Sequence, residues 1–270
     1  MKPLLPALAL VLASCAGAEA RAPQGDARPT IVSLNPCTDA ILAEVTAPGQ
    51  LLAISHYSKD PRASSMEPQD AARYLATGGT VEEVLALDPD LVVASTFIDP
   101  ATRAALEDLG LEVATFGAAS TVEDSAEQVR ELAELAGNVA AGEALVVRME
   151  AALQAAATTG APVETALWQP GGIVPGESSL VSDLLHRTGF ASYSASRGMA
   201  QADYLSLEQV VADPPEVLLV AGGETGQRHP LLSRLPQMRR EAFDTRLIYC
   251  GGPTIVRAAE RLANIRKGAQ

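Results

Sequence analysis

Short apolar runs alternate with amphipathic stretches along most of the chain, the pattern of a mostly parallel α/β sheet. In the first half, Thr30–Leu34, Leu51–Ser55, Leu91–Ala94 and Val113–Phe116 read as buried strands; in the second, Thr165–Trp168, Val217–Val220 and Arg246–Cys250 do. Helices are predicted from Cys37 or Thr38 to about Val45, and over Pro100–Leu109, Ser178–Arg187 and Thr254–Arg266, with residues 62–77 irregular and polar. One pattern occurs twice. Val81–Val93, VEEVLALDPDLVV, returns as Leu207–Leu219, LEQVVADPPEVLL, each copy a short amphipathic helix, a proline turn and an uninterrupted apolar strand. Thr80 and Ser206 stand at the N-cap position of the two helices, with Glu82 and Glu208 in the first turn, where a carboxylate complements the helix dipole. Two copies of one α/β unit predict two similar lobes with a cleft between them.

Between the copies the periodicity turns wholly helical. Thr121-x-x-Asp124 is an N-cap signature, followed by Val129, Leu132 and Leu135 at helical spacing and a stop at Gly137-Asn138. A second long helix over about 139–158 carries Leu145, Val146, Met149 and Leu153. No Gly/Ser-rich linker separates the halves, so the connection is stiff. The predicted organisation is a first lobe over residues 29–138, a bridging helix over 139–160 and a second lobe over 161–267.

The first residues, MKPLLPALALVLASCAGAEA, read as a targeting segment over 1–20. Lys2 is its positive end, and the apolar run Leu4–Ala13 is too short to span a bilayer. Two processing schemes fit: cleavage after Ala18-Glu19-Ala20, or a lipobox, Leu12-Ala13-Ser14-Cys15, in which Cys15 carries a lipid anchor. Both export the chain. The composition, 47% hydrophobic and 20% charged over 270 residues, is that of a soluble globule. A net charge of −13 argues against sequence-independent nucleic-acid binding, which needs a positive field. Export places Cys37 and Cys250 in an oxidising compartment, where one disulfide and two small buried hydrophobes are both open readings.

No nucleophile elbow, phosphate loop, dinucleotide fingerprint or paired-histidine metal motif is present. The candidate chemistry collects at strand ends, where open α/β sheets line their crevice. Asn35-Pro36-Cys37 follows the first strand, His56-Tyr57 the second and Phe97 the third; Trp168 and Cys250-Gly251-Gly252 do the same in the second half. Aromatics are only 4% of the chain, so Tyr57, Phe97 and the single Trp at strand ends form a candidate pocket lining.

The segments TIVSLNP, LLAISHYSKDP, TGGTVEEVLALDPDLVVAS and LGLEVATF together resemble the N-terminal lobe of the periplasmic ligand-binding proteins for iron-siderophore complexes and cobalamin, which serve bacterial ABC importers. PGESSLVSDLLHRTGF and LSLEQVVADPPEVLLV resemble the C-terminal lobe more loosely, and the helical region Thr121–Thr158 resembles the rigid interlobe helix. The resemblance spans about residues 29–267. It implies two Rossmann-like lobes joined by a single long interlobe helix, with the ligand between them. It implies a periplasmic receptor, soluble or lipid-anchored and monomeric, that is not an enzyme and carries no cofactor. Such a receptor captures a metal-containing chelate (a corrinoid, or a ferric siderophore or haem) and hands it to the importer's membrane permease subunits. Asn35, Cys37, His56, Tyr57, Phe97, Trp168, Cys250 and Gly251 are then the ligand-binding candidates, and Glu82 and Glu208 match the carboxylates that dock on permease arginines. The cobalamin binder is rich in pocket tryptophans and this chain has one; no arginine set for an anionic chelate is found, which favours the corrinoid over the siderophore. Two other readings stay open: direct binding of a soft metal ion by Cys37, His56 and Cys250, and an exported enzyme with Cys37 or Cys250 as nucleophile beside His56.

Overall fold

The structure is a computed structural model that describes residues 28–268; the targeting segment and Cys15 lie outside them. The first lobe contains β1 (Ile31–Ser33), α1 (Pro36–Val45), β2 (Leu51–Ser55), α2 (Pro68–Ala71), β3 (Leu75–Thr77), α3 (Val81–Leu85), β4 (Leu91–Ser95), α4 (Pro100–Asp108) and β5 (Glu112–Phe116). Its strands pair in parallel in the order β3-β2-β1-β4-β5. The chain therefore winds outward from β1 in one direction and then in the other, and the switch point lies between β1 and β4. In open α/β sheets the crevice outside the carboxyl ends at such a point is where ligands bind.

Two long helices follow, α5 (Val122–Leu135) and α6 (Val139–Ala156). Thr121 and Asp124 form a reciprocal capping box that fixes the start of α5. The second lobe contains β6 (Val163–Trp168), β7 (Ile173–Val174), α7 (Leu180–Arg187), β8 (Phe190–Ser192), α8 (Tyr193–Ser196), β9 (Asp203–Tyr204), α9 (Leu207–Ala212), β10 (Val217–Ala221), β11 (Arg239–Phe243) and α10 (Pro253–Lys267). Its parallel sheet runs β11-β10-β6-β8, with β7 and β9 as a small antiparallel ribbon.

Alternation along the strands divides the core. Ile31, Leu51, Ile54, Leu91 and Val93 of the first sheet share one continuous apolar cluster with Val163, Leu167, Val217 and Leu219 of the second. The cluster passes through α1, α5, α6 and α10, whose Ile41, Leu132, Met149 and Leu262 are buried in it. The opposite faces carry separate small cores, one around Val32, Val84 and Val92, the other around Trp168, Tyr193 and Leu218. Helix α6 makes the covalent link between the lobes, and α5 and α10 pack along it.

The seam between the lobes is also tied by specific bonds. Cys37 at the start of α1 and Cys250 ahead of α10 form a disulfide. Glu67 accepts from both Arg246, at 2.6 Å, and Arg257, whose guanidinium also reaches the Ser65 carbonyl. The Val122 amide donates to Asp183 at 2.8 Å, and Arg187 pairs with Glu123.

Two expectations are corrected. Arg246–Cys250 is not a strand: Asp244 accepts from the Arg246 amide and starts a tight turn over Thr245–Leu247, while the last strand is β11. Its Arg-Arg-Glu sequence has no apolar run because it is an edge, where charge deters unwanted pairing. Residues 62–77 are not irregular throughout, since they include α2 and β3, an edge strand with Leu75 exposed. The edge strand β8 in the second sheet likewise lacks a sequence signal because it is only three residues long.

Candidate ligand cleft

The carboxyl ends of β1, β2, β3 and β4 form a concave surface of about 350 Å³, lined among others by His56, Tyr57, Thr77, Ser95 and Phe97. Local hydrogen bonds explain how each side chain is presented. Ser95 Oγ accepts from the Phe97 amide at 3.1 Å, turning the chain so that Phe97 stands 87% exposed. Ser55 caps a 3₁₀ turn over His56–Lys59 by accepting from the Tyr57 amide. Within that turn the His56 and Tyr57 rings lie 4.0 Å apart, and His56 Nδ1 lies 3.3 Å from the Thr77 carbonyl oxygen. Lys59 anchors the far end of the turn on the carbonyls of Ala71 and Tyr74. Asn35 stands at the same end of the sheet, but its side chain is committed as the N-cap of α1, accepting from the Cys37 amide at 3.0 Å.

The disulfide ties the second lobe to the start of α1. Cys37 and Cys250 have their Cα atoms 5.1 Å apart, and the Tyr249 carbonyl oxygen lies 3.5 Å from the Cys37 sulfur. Tyr249, 41% exposed, therefore stands beside the start of α1. Sequence reasoning missed it by placing it inside a strand; the Asp244-x-Arg246 turn signal was the available clue. With both sulfurs bonded to each other, neither Cys37 nor Cys250 is a thiolate, so they can serve neither as soft-metal ligands nor as nucleophiles while the bond is intact. Among the described residues there is no group of three or more His, Cys, Asp or Glu arranged to hold a metal ion.

Two further candidates occupy other places than expected. Trp168 is 3% exposed in the second lobe's outer core, its Nε1 donating to the Leu205 carbonyl at 2.9 Å. It follows the in–out alternation of β6, and its ring faces the side covered by α9 and the β7–β9 ribbon. Gly251 is a spacer in the seam. A Cβ there would fall 2.2 Å from Ser125 Oγ, the atom that accepts from the Gly252 amide at 2.7 Å. Gly252 itself has φ of 58°, which glycine adopts without strain.

The periplasmic binding protein family model matches residues 31–243. The chain belongs to that family. It is 25% identical over 200 residues to a cobalamin-binding protein of Halobacterium salinarum, covering 70% of this chain and 53% of that one. The chain thus spans about half the length of the curated relatives it matches. The fold is shared with the periplasmic heme-binding protein RhuT from Roseiflexus sp. RS-1, at a TM-score of 0.68 and 20% identity over 90% of this chain and all of that one. It is shared equally with the periplasmic vitamin B12 binding protein BtuF of Vibrio cholerae, at 0.68 and 20% over 89% and 97%. The heme-binding protein HutB of Vibrio cholerae superimposes at 0.71 with 17% identity over 88% and 98%.

In this family member the repeated helices α3 and α9 begin alike. Thr80 accepts from the Glu83 amide at 3.3 Å, and Ser206 accepts from the Gln209 amide at 3.2 Å. The third residue of each helix folds back: Glu83 accepts from Thr77 Oγ1 and the Gly78 amide, and Gln209 accepts from the Ser206 amide. The bonds to Thr77 and Gly78 hold the Glu83 carboxyl below its usual range. The second residue, Glu82 or Glu208, is left pointing into solvent. The amide of Glu208 and the Ser206 hydroxyl hold the Glu208 carboxyl low, so it stays ionised.

Proposed function

We propose that the protein captures a metal tetrapyrrole, a corrinoid or a haem, in the cleft between its lobes and delivers it to the permease subunits of an ABC importer. The observation that carries this reading is the pair of exposed aromatic rings, Tyr57 and Phe97, that line the concavity at the carboxyl ends of the first lobe's strands, with Tyr249 of the second lobe exposed beside the start of α1. Exposed rings in a concavity gain most from a broad flat ligand. Each stacked ring adds about 0.5–1.5 kcal/mol beyond the area it buries. The names of the Halobacterium relative and of the structural neighbours, cobalamin- and heme-binding proteins, point the same way.

In this reading Glu82 and Glu208 are docking carboxylates, one on each lobe, exposed to solvent while Glu83 and Gln209 fold back on the helix starts. Their partners are arginines of the two permease subunits. The site of action is the periplasm, with the protein soluble or held by a lipid at Cys15.

Protein purified from its own host tests the ligand class without assuming it. Native mass spectrometry should show a mass increment, and the visible spectrum a corrin or Soret band. A bound mass without tetrapyrrole absorbance would assign the cleft to another chelate.

A further inference from the structure

Beneath the cleft, in α1, the side chain of Asp39 has no exposure to solvent. Its Oδ2 accepts from the Ser55 amide at 2.9 Å and from the Ser58 hydroxyl at 2.6 Å. Those two residues bracket His56 and Tyr57, so one buried oxygen grips both ends of the turn that offers the paired rings. Oδ1 has no hydrogen-bond partner. The neighbouring hydroxyls are engaged with one another: Ser33 with Thr38 at 2.9 Å, and Ser64 with Ser58 at 3.4 Å.

We propose that Asp39 is a positioning residue of the cleft, holding the His56–Tyr57 turn in its ligand-receiving geometry through Ser55 and Ser58. The inference rests on the reading of the cleft as the ligand site. Geometry gives the reason. A neutral carboxyl can keep its proton on Oδ1 and still present Oδ2 to both donors, whereas an ionised one would bury a charge with no cation against it. Burial pushes the Asp39 carboxyl up to about 8, against the pull of the Ser58 hydroxyl and the Ser55 amide.

No charged group offsets this. The elements packed on α1 are β1, β2, the 56–59 turn, α5, α6 and α10. β1 and β2 carry no charged residue. From the turn, His56 contacts Thr77 and Lys59 holds the carbonyls of Ala71 and Tyr74, while the Tyr57 ring lies against His56 in the open cleft. Arg62, in the loop beyond, pairs with Asp60. Arg148 of α6 pairs with Glu44, and Arg257 of α10 with Glu67. On α5 the charged side chains, Glu123, Asp124, Glu127, Arg130, Glu131 and Glu134, are exposed. None of these bonds to the Asp39 carboxyl.

The test reads the turn and the ligand separately. In the apo protein, the backbone amide resonance of Ser55, whose N–H donates to Asp39, should show a transition with a midpoint near pH 8 in the wild type that is absent from Asp39→Asn. With cyanocobalamin and haemin as probes, Asp39→Ala should weaken binding at pH 7 about tenfold. Asp39→Asn, which keeps a carbonyl oxygen for both donors, should recover most of that loss. A wild-type Ser55 amide with no transition near pH 8, or an Asp39→Ala protein with wild-type affinity, would overturn the proposal. If neither probe binds the wild type, the reading of the cleft fails, and the amide titration still decides whether Asp39 holds the turn.

Discussion

Cys37 and Cys250 are joined across the lobe seam with their Cα atoms 5.1 Å apart, although 213 positions separate them in the chain. Cross-linking so large a loop removes much of the unfolded chain's freedom, about 5 kcal/mol in the chain-entropy account. The bond stands beside the Glu67–Arg246 and Glu67–Arg257 pairs and the Ser125–Gly252 hydrogen bond, all spanning the same seam. Cys37→Ser, or reduction by dithiothreitol, should therefore lower the melting temperature by about 10–20 °C, taking about 2–4 °C per kcal/mol for a chain of this size. Calorimetry with and without reductant measures this directly. Coincident melts would show that the staple contributes nothing.

The α3 and α9 starts predict a separation of transport from binding. Reversing Glu82 and Glu208 to Arg places like charge against permease arginines, which costs several kcal/mol at such contacts. Uptake in cells should be lost while the affinity of the purified protein for its ligand shifts by less than about twofold. A large loss of affinity would place these carboxylates in the ligand site instead.

Trp168 yields a prediction opposite to the one its strand-end position suggests. Buried and bonded to the Leu205 carbonyl, it should act on stability. Trp168→Ala should destabilise by about 3–5 kcal/mol, as for other large-to-small core changes. Trp168→Phe should retain ligand affinity within about twofold, measured by calorimetric titration. A tenfold weakening in Trp168→Phe would return the indole to the cleft.

The repeat shows how much was legible in the sequence. Thr80 and Ser206, each followed by a short apolar-faced helix and an all-apolar strand, marked the two lobes because caps and periodicity are local properties. The long helices α5 and α6 were equally plain from spacing. Tyr57 and Phe97 stand exposed at strand ends, as expected, because strand ends of a parallel sheet are predictable positions. Trp168 misled because a residue at the last position of a strand can face either side of the sheet, and only tertiary packing chooses. The Cys37–Cys250 pairing and Tyr249 were hidden for a related reason, since they depend on how α10 is brought against α1. Asp39 gave no signal at all: a single aspartate in a helix looks like surface until Ser55 and Ser58 close over it.

Asp39 also sets a pH dependence of stability. Its carboxyl ionises near 3.8 when unfolded and at about 8 when folded. Between those values the folded state holds a proton that the unfolded state has released, so stability falls as pH rises from about 4 to about 8 and levels off above. Asp39→Asn removes that slope. The variant should gain on the wild type by roughly 2–4 kcal/mol between pH 4 and 7, taking 1.36 kcal/mol per pH unit as the upper limit. Urea unfolding at pH 5 and pH 7.5 checks it; a gap that does not change with pH would contradict the buried, proton-holding carboxyl.

The most direct test of the account is equilibrium titration of the purified, disulfide-intact protein with haemin and with cyanocobalamin, followed by visible absorption. The account predicts saturable one-to-one binding of at least one of them, with Tyr57→Ala and Phe97→Ala each weakening it about tenfold, the equivalent of about 1.4 kcal/mol. Failure of both tetrapyrroles to bind, or binding that survives loss of both rings unchanged, would contradict it.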